Sequence, residues 1–78
     1  MAVIVYSSPY CTYCKKLKNF LQKNKIEFIE KDVVKDPAAA IEAVEKSGQM
    51  SLPILDNGID IIVGFDEQKL REFLNLKE

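Results

Sequence analysis

The sequence predicts an α/β protein with the element order βαβαββα, a four-stranded mixed sheet flanked by three helices. Three observations predict it. Ala2–Tyr6 is a short, unbroken apolar run rich in β-branched residues, the pattern of a strand buried on both faces. From Cys11 onward the apolar spacing becomes helical. Near the end, Asn57-Gly58 separates two apolar runs, the pattern of a tight hairpin, because both residues tolerate positive φ.

Each element can be justified in turn. Ser7, Ser8 and Pro9 break the first strand. In the helix that follows, Cys14, Leu17 and Leu21 share one face with Phe20 beside them, and Asn24 and Lys25 end it. Ile26–Val33 reads as a second strand with apolar Ile26, Phe28 and Ile29. Its link to the first strand runs through a helix, so the two should be parallel. Asp36-Pro37 starts the second helix, since Asp caps and Pro suits the first helical position. Ala40, Ile41 and Val44 are its expected apolar stripe, and Gly48 its stop. Ser51–Asp56 and Ile59–Val63 flank Asn57-Gly58 as the antiparallel pair. Asp66 caps a last helix whose buried stripe is Leu70, Phe73 and Leu74.

The 78 residues suffice for one compact domain, spanning 1–78. With 47% hydrophobic and 29% charged residues, the composition is that of a soluble globule. No apolar run is long enough to cross a bilayer, and the N-terminus lacks the basic and apolar regions of a signal peptide. A cytoplasmic monomer with no membrane partner is the expectation. The net charge is −1, unevenly spread: six Lys against two Glu in residues 1–31, five basic against ten acidic groups in residues 32–78. The uneven charge reads first as two solvated helix faces of opposite sign, and alternatively as Lys15, Lys16 and Lys18 giving the region around the cysteines a positive field. The slight overall acidity and the lack of a binding motif argue against a nucleic-acid partner, and none is expected.

The chemistry lies in Cys11-Thr12-Tyr13-Cys14. In a reducing compartment two cysteines are a poor structural staple. The chain has no His and no second Cys pair, so it lacks the ligands of a self-contained zinc site, and no metal is expected. A helix N-terminus offers unpaired N–H groups and the positive end of a dipole, and both favour thiolate over thiol. Lys15 and Lys16 add positive charge. Cys11 is therefore the expected nucleophile. Cys14, one turn further in and on the apolar stripe, is the expected resolving thiol.

Three motifs in this order resemble the glutaredoxin family of the thioredoxin-fold superfamily. Cys11-Thr12-Tyr13-Cys14 is similar to the Cys-Pro-Tyr-Cys active site. Ser51-Leu52-Pro53 is similar to the Thr-Val-Pro segment, whose proline is cis in the family. Val63-Gly64-Phe65-Asp66-Glu67 is similar to the Gly-Gly-x-Asp/Ser-Asp segment. The resemblance spans essentially the whole chain and implies a thioredoxin-like fold and thiol–disulfide exchange. It implies no permanently bound cofactor, with glutathione as reductant and cosubstrate. Disulfide-containing proteins would be substrates, regenerated by a glutathione or thioredoxin reductase system.

The resemblance also implies a glutathione groove formed by Tyr13, Leu52, Pro53, Gly64, Phe65, Asp66 and Glu67. The Leu52 backbone would pair with the tripeptide as an added strand. The N–H groups of Asp66 and Glu67 would hold a carboxylate, and the Glu67 side chain an ammonium. Tyr10 would shape the groove's edge. Three positions depart from the pattern: Ser8 where many glutaredoxins carry Lys or Arg, Val63 for the first Gly, and Thr12 for Pro. These departures, with Lys46–Met50, resemble glutaredoxin-like redoxins of the NrdH-like and YruB types. Two alternative readings follow from the resemblance: a redoxin fed by thioredoxin reductase that serves ribonucleotide reductase, and a module holding an iron–sulfur cluster with glutathione.

Overall fold

A computed structural model describes residues 3–49 and 51–74. Ala2 of the first apolar run and Met50 lie outside them. The elements are β1 (Val3–Ser7), α1 (Thr12–Lys23), β2 (Phe28–Asp32), α2 (Pro37–Ser47), β3 (Ile54–Asp56), β4 (Ile61–Val63) and α3 (Glu67–Phe73). The sheet order is β2-β1-β3-β4. β1 runs parallel to β2 and antiparallel to β3, and β4 is antiparallel to β3. The predicted order, the mixed sheet and the three helices are all present.

Strand alternation sorts the core into two layers. Val3, Val5 and Leu55 point to one side and pack with Leu17, Phe20 and Leu21 of α1 and Leu70 of α3. Phe73 and Leu74, predicted for the α3 stripe with Leu70, pack against this layer half-buried. Tyr6 and Ile54 point to the other side and pack with Ala39 and Ala43 of α2. A central β1 is thus covered on both faces, as its unbroken apolar run requires.

The helix termini follow local rules. Asp36 accepts from the N–H groups of Ala38 and Ala39, with Pro37 in the first turn. Gly48, at φ 75°, closes α2 in the left-handed conformation. α1 ends in the same geometry without a glycine. The N–H of Ile26 donates to the Leu21 carbonyl and that of Lys25 to Gln22, while Lys25 itself sits at φ 58°. That is a Schellman ending with lysine where glycine is the usual occupant.

Three expectations need correction. The α2 stripe Ala40, Ile41, Val44 is not the buried one: Ala39 and Ala43 are buried, while Ile41 and Val44 are exposed. The sheet-facing side of α2 is chosen by small residues that allow close approach and by polar anchors. Glu42 bonds the Tyr6 hydroxyl, and Lys46 reaches Asp56. Helical spacing from 39 to 43 and 46 puts these groups on one face and turns Ile41 outward. The second strand is shorter than Ile26–Val33, running Phe28–Asp32, because the Ile26 N–H closes the end of α1 and the Val33 N–H donates to the Ser7 carbonyl at the strand's far end. Finally, the β3–β4 connection is a four-residue loop, with Asp56 opposite Ile61. Asn57 caps that loop through its side chain, accepting from the N–H groups of Ile59 and Asp60, and Gly58 alone takes positive φ.

Candidate active site

Topology gathers the predicted site at one end of the sheet. β1 and β2 are parallel and each feeds a helix, so α1 and α2 begin beyond the same strand ends. β3 pairs Ile54 with Tyr6, which brings Pro53 to that end as well. The N–H of Gly64 donates to the Pro53 carbonyl at 2.8 Å and ties the start of α3 to the proline segment. The Leu52–Pro53 bond is cis, as the resemblance implied, and Pro53 is buried.

Cys11 is the N-cap of α1. Its backbone is extended, and its Sγ accepts the Cys14 N–H at 3.1 Å. The sulfur thereby fills the place that a Ser or Asp oxygen takes in other helices, facing the positive dipole end. Cys11 is half-buried and Cys14 is completely buried. The two sulfurs form a disulfide, with the Cα atoms 5.2 Å apart. The first turn of α1 contains no acidic residue to oppose a thiolate.

The remaining predicted residues fall around this pair. Tyr13 is exposed on α1, with the Lys16 ammonium 5.0 Å from its ring centre. Tyr10 is 85% exposed. Leu52, Gly64 and Phe65 are half-buried, and the Phe65 ring meets Phe20 edge-on at 6.3 Å. The Asp66 carboxylate caps α3 by accepting from Gln68 and Lys69. Glu67 lies 3.5 Å from Arg71 one turn on. Ser8 accepts the Tyr10 N–H at 3.1 Å, so its hydroxyl is folded into its own loop.

Two polar clusters were not foreseen. At the β1 end, Ser7 and Lys18 both donate to the same Glu30 oxygen at 2.7 Å. Those two contacts, Lys18 first, hold the Glu30 carboxyl below its ordinary range. Lys18 therefore does not act as the free positive charge that its place in the lysine run suggested. On the α2 face, Tyr6 donates to Glu42 at 2.7 Å, and Lys31 pairs with the same Glu42 oxygen at 2.9 Å. Lys46 pairs with Asp56 at 2.5 Å, and the other Asp56 oxygen accepts the Gly58 N–H. Burial raises the Tyr6 hydroxyl, and the Glu42 bond adds to that. Burial also pushes Asp56 up, but Lys46 and Gly58 more than offset it and leave it lowered. The advance signal for these clusters was Tyr6, a hydroxyl in an apolar run; Ser7, expected to break the strand, is its last residue.

A βαβαββα sheet with a Cys-x-x-Cys disulfide at a strand-to-helix turn defines a thioredoxin-like protein with a redox-active cysteine pair. Residues 3–58 match the Glutaredoxin family. A glutaredoxin-like 8.6 kDa protein in the rubredoxin operon of Clostridium pasteurianum is 31% identical over 70 residues, 90% of this chain and 93% of that one. A variant of a thioredoxin-like protein superposes with a TM-score of 0.90 at 32% identity, covering 96% of both chains. The glutaredoxin of Archaeoglobus fulgidus gives 0.86 at 26% identity, covering 95% of this chain and 87% of that one. The chain also matches the global transcriptional regulator Spx of Streptococcus pneumoniae, spanning about half of that protein's length. The chain belongs to the glutaredoxin family.

Proposed function

We propose that this protein is a dithiol oxidoreductase that reduces protein and glutathione mixed disulfides, with Cys11 as nucleophile and Cys14 as resolving thiol. The observation that supports it most is the inequality of the two sulfurs: Cys11 is reachable and caps a helix, whereas Cys14 is buried one turn inside. The Cys11 thiolate attacks one sulfur of a substrate disulfide, and the other sulfur leaves as thiolate and takes up a proton. Cys14 then loses its proton and attacks the Cys11 sulfur. The second substrate thiol is released and the Cys11–Cys14 disulfide remains. Two electrons pass to the substrate.

Glutathione restores the dithiol by the same exchange in reverse. The reading places the tripeptide along Leu52 and Pro53, beside Tyr13, Gly64 and Phe65, and toward Asp66 and Glu67. A second reading, supply of electrons by thioredoxin reductase, is favoured by Ser8: it brings no cation, and its hydroxyl is engaged by Tyr10. A reduction assay run with each electron source tests both. The proposal expects turnover with glutathione and its reductase. Turnover with thioredoxin reductase alone would replace the glutathione reading with the second one.

A further inference from the structure

Lys18 stands four residues after Cys14 and seven after Cys11, which places it on the same side of α1. In axial distance that is about 6 Å and about 10 Å. An unpaired ammonium there would favour thiolate at both cysteines. Glu30 meets it at 2.7 Å, and the same Glu30 oxygen accepts from Ser7, which is 1% exposed at the end of β1. The buried hydroxyl fixes the carboxylate, and the carboxylate fixes the lysine. Three elements that frame the cysteine loop, β1, β2 and α1, meet at this one oxygen.

We propose that Glu30 and Lys18 are positioning residues that set the acidity of the cysteine pair: Glu30, anchored by Ser7, withholds the Lys18 charge from the thiolate. This rests on the reading of Cys11 as nucleophile and adds to it a control on how much thiolate is present. Other charged groups at this end stay constant across the variants that test it. They are Lys15 and Lys16 in the first turns of α1, Asp32 at the end of β2, and Asp66 and Glu67 at the start of α3. The Asp32 carboxylate is occupied by the N–H groups of Val34 and Lys35.

The geometry gives the two single substitutions opposite signs. Glu30→Gln frees the ammonium and should raise the Cys11 thiolate fraction below its midpoint by about threefold, the size expected of one partly screened charge at this range. Lys18→Met keeps the aliphatic stem, leaves the carboxylate with Ser7 alone and its charge uncompensated, and should lower that fraction by about threefold. The double variant should return to the wild-type profile.

Alkylation of the reduced protein against pH, with the modified cysteine identified by mass, reads all four proteins. Shifts of both single variants in the same direction, or no shift in either, would overturn the proposal and leave a purely structural pair. A wild-type Cys11 that titrates like a free thiol would instead count against the nucleophile assignment, while the signs of the variants still decide the role of the pair.

Discussion

The two faces of the sheet carry different burdens. One face holds Val3, Val5 and Leu55 under α1 and α3, and from its edge rise both cysteines. The other holds Tyr6 and Ile54 under α2, fastened by Glu42, Lys31, Lys46 and Asp56. Polar groups on the α2 face satisfy one another: Tyr6 lies between two ammonium groups at 5.9 and 5.8 Å from its ring centre. On the cysteine face Ser7, Lys18 and Glu30 form a polar cluster further along α1 from the cysteine pair. A helix packed through two alanines has little apolar area with which to hold its place. The hydrogen-bonded ion pairs supply orientation that the small side chains cannot. In this small fold the cysteine pair belongs to one face and the larger polar clamp to the other.

That separation can be broken or sharpened by substitution. The largest effect is expected on the cysteine face. Cys11→Ser should reduce disulfide exchange to background, whereas Cys14→Ser should retain glutathione mixed-disulfide turnover, because glutathione can resolve an adduct on Cys11. Turnover of a small mixed disulfide by each variant checks this. Equal loss in both would make Cys14 obligatory.

Next in size is Leu17→Ala beneath the cysteines. Leu17 is fully buried, so about 2–5 kcal/mol should be lost in denaturant unfolding. On the opposite face, Lys46→Met should cost about 1–3 kcal/mol by leaving a buried Asp56 carboxylate with only the Gly58 N–H. It should leave the Cys11 alkylation profile unchanged. A shift in that profile would show that the two faces are coupled.

Acidity tests the same clamp. Glu42 is held low first by Lys31 and then by Tyr6, Asp56 is also lowered, and so, on the cysteine face, is Glu30. A carboxyl lowered in the folded state stabilises it fully above the unfolded value, near 4, and that stability is lost as pH falls through the folded values. Lys31, raised chiefly by Glu42, and Lys46, raised chiefly by Asp56, act in the reverse sense. Their contribution is present below the unfolded lysine value and is lost as pH rises through the folded one. Melting temperature against pH should therefore form a plateau that falls on both sides, and Lys46→Met should flatten both limbs.

The smallest effects lie away from both sites. Lys25→Gly should stabilise by up to about 1 kcal/mol, because glycine adopts the left-handed Schellman position without steric cost. Ile41→Ser should change stability by less than about 0.5 kcal/mol, since Ile41 is 61% exposed. Thermal unfolding distinguishes these from the larger losses.

Much of this was legible in the sequence because it is local. A β-branched run, the Asp36-Pro37 and Asp66 caps and the Gly48 stop each act within a few residues, and each holds in the structure. The cysteines were equally legible, because N-capping depends only on where a helix starts. The α2 face was not. Its direction is decided by Tyr6, Lys31 and Asp56, which come from three strands distant in sequence, and helical periodicity alone favoured the larger Ile41 and Val44. The hairpin loop was misjudged for a related reason. Asp56 and Asn57 bind backbone N–H groups with their side chains, which lengthens a turn that Asn-Gly alone would close in two residues. The pairing of Lys18 was not legible because its partner, Glu30, lies across the fold on β2.

The central claim is that the two cysteines are unequal, and trapping tests it most directly. Cys14→Ser and Cys11→Ser proteins, each reduced and then exposed to oxidised glutathione at neutral pH, should differ in the rate of adduct formation followed by intact mass. The account predicts rapid, stoichiometric capture of one glutathione on Cys11 in the first variant and slow or no capture on buried Cys14 in the second. Equal rates in the two variants, or faster capture on Cys14, would contradict it.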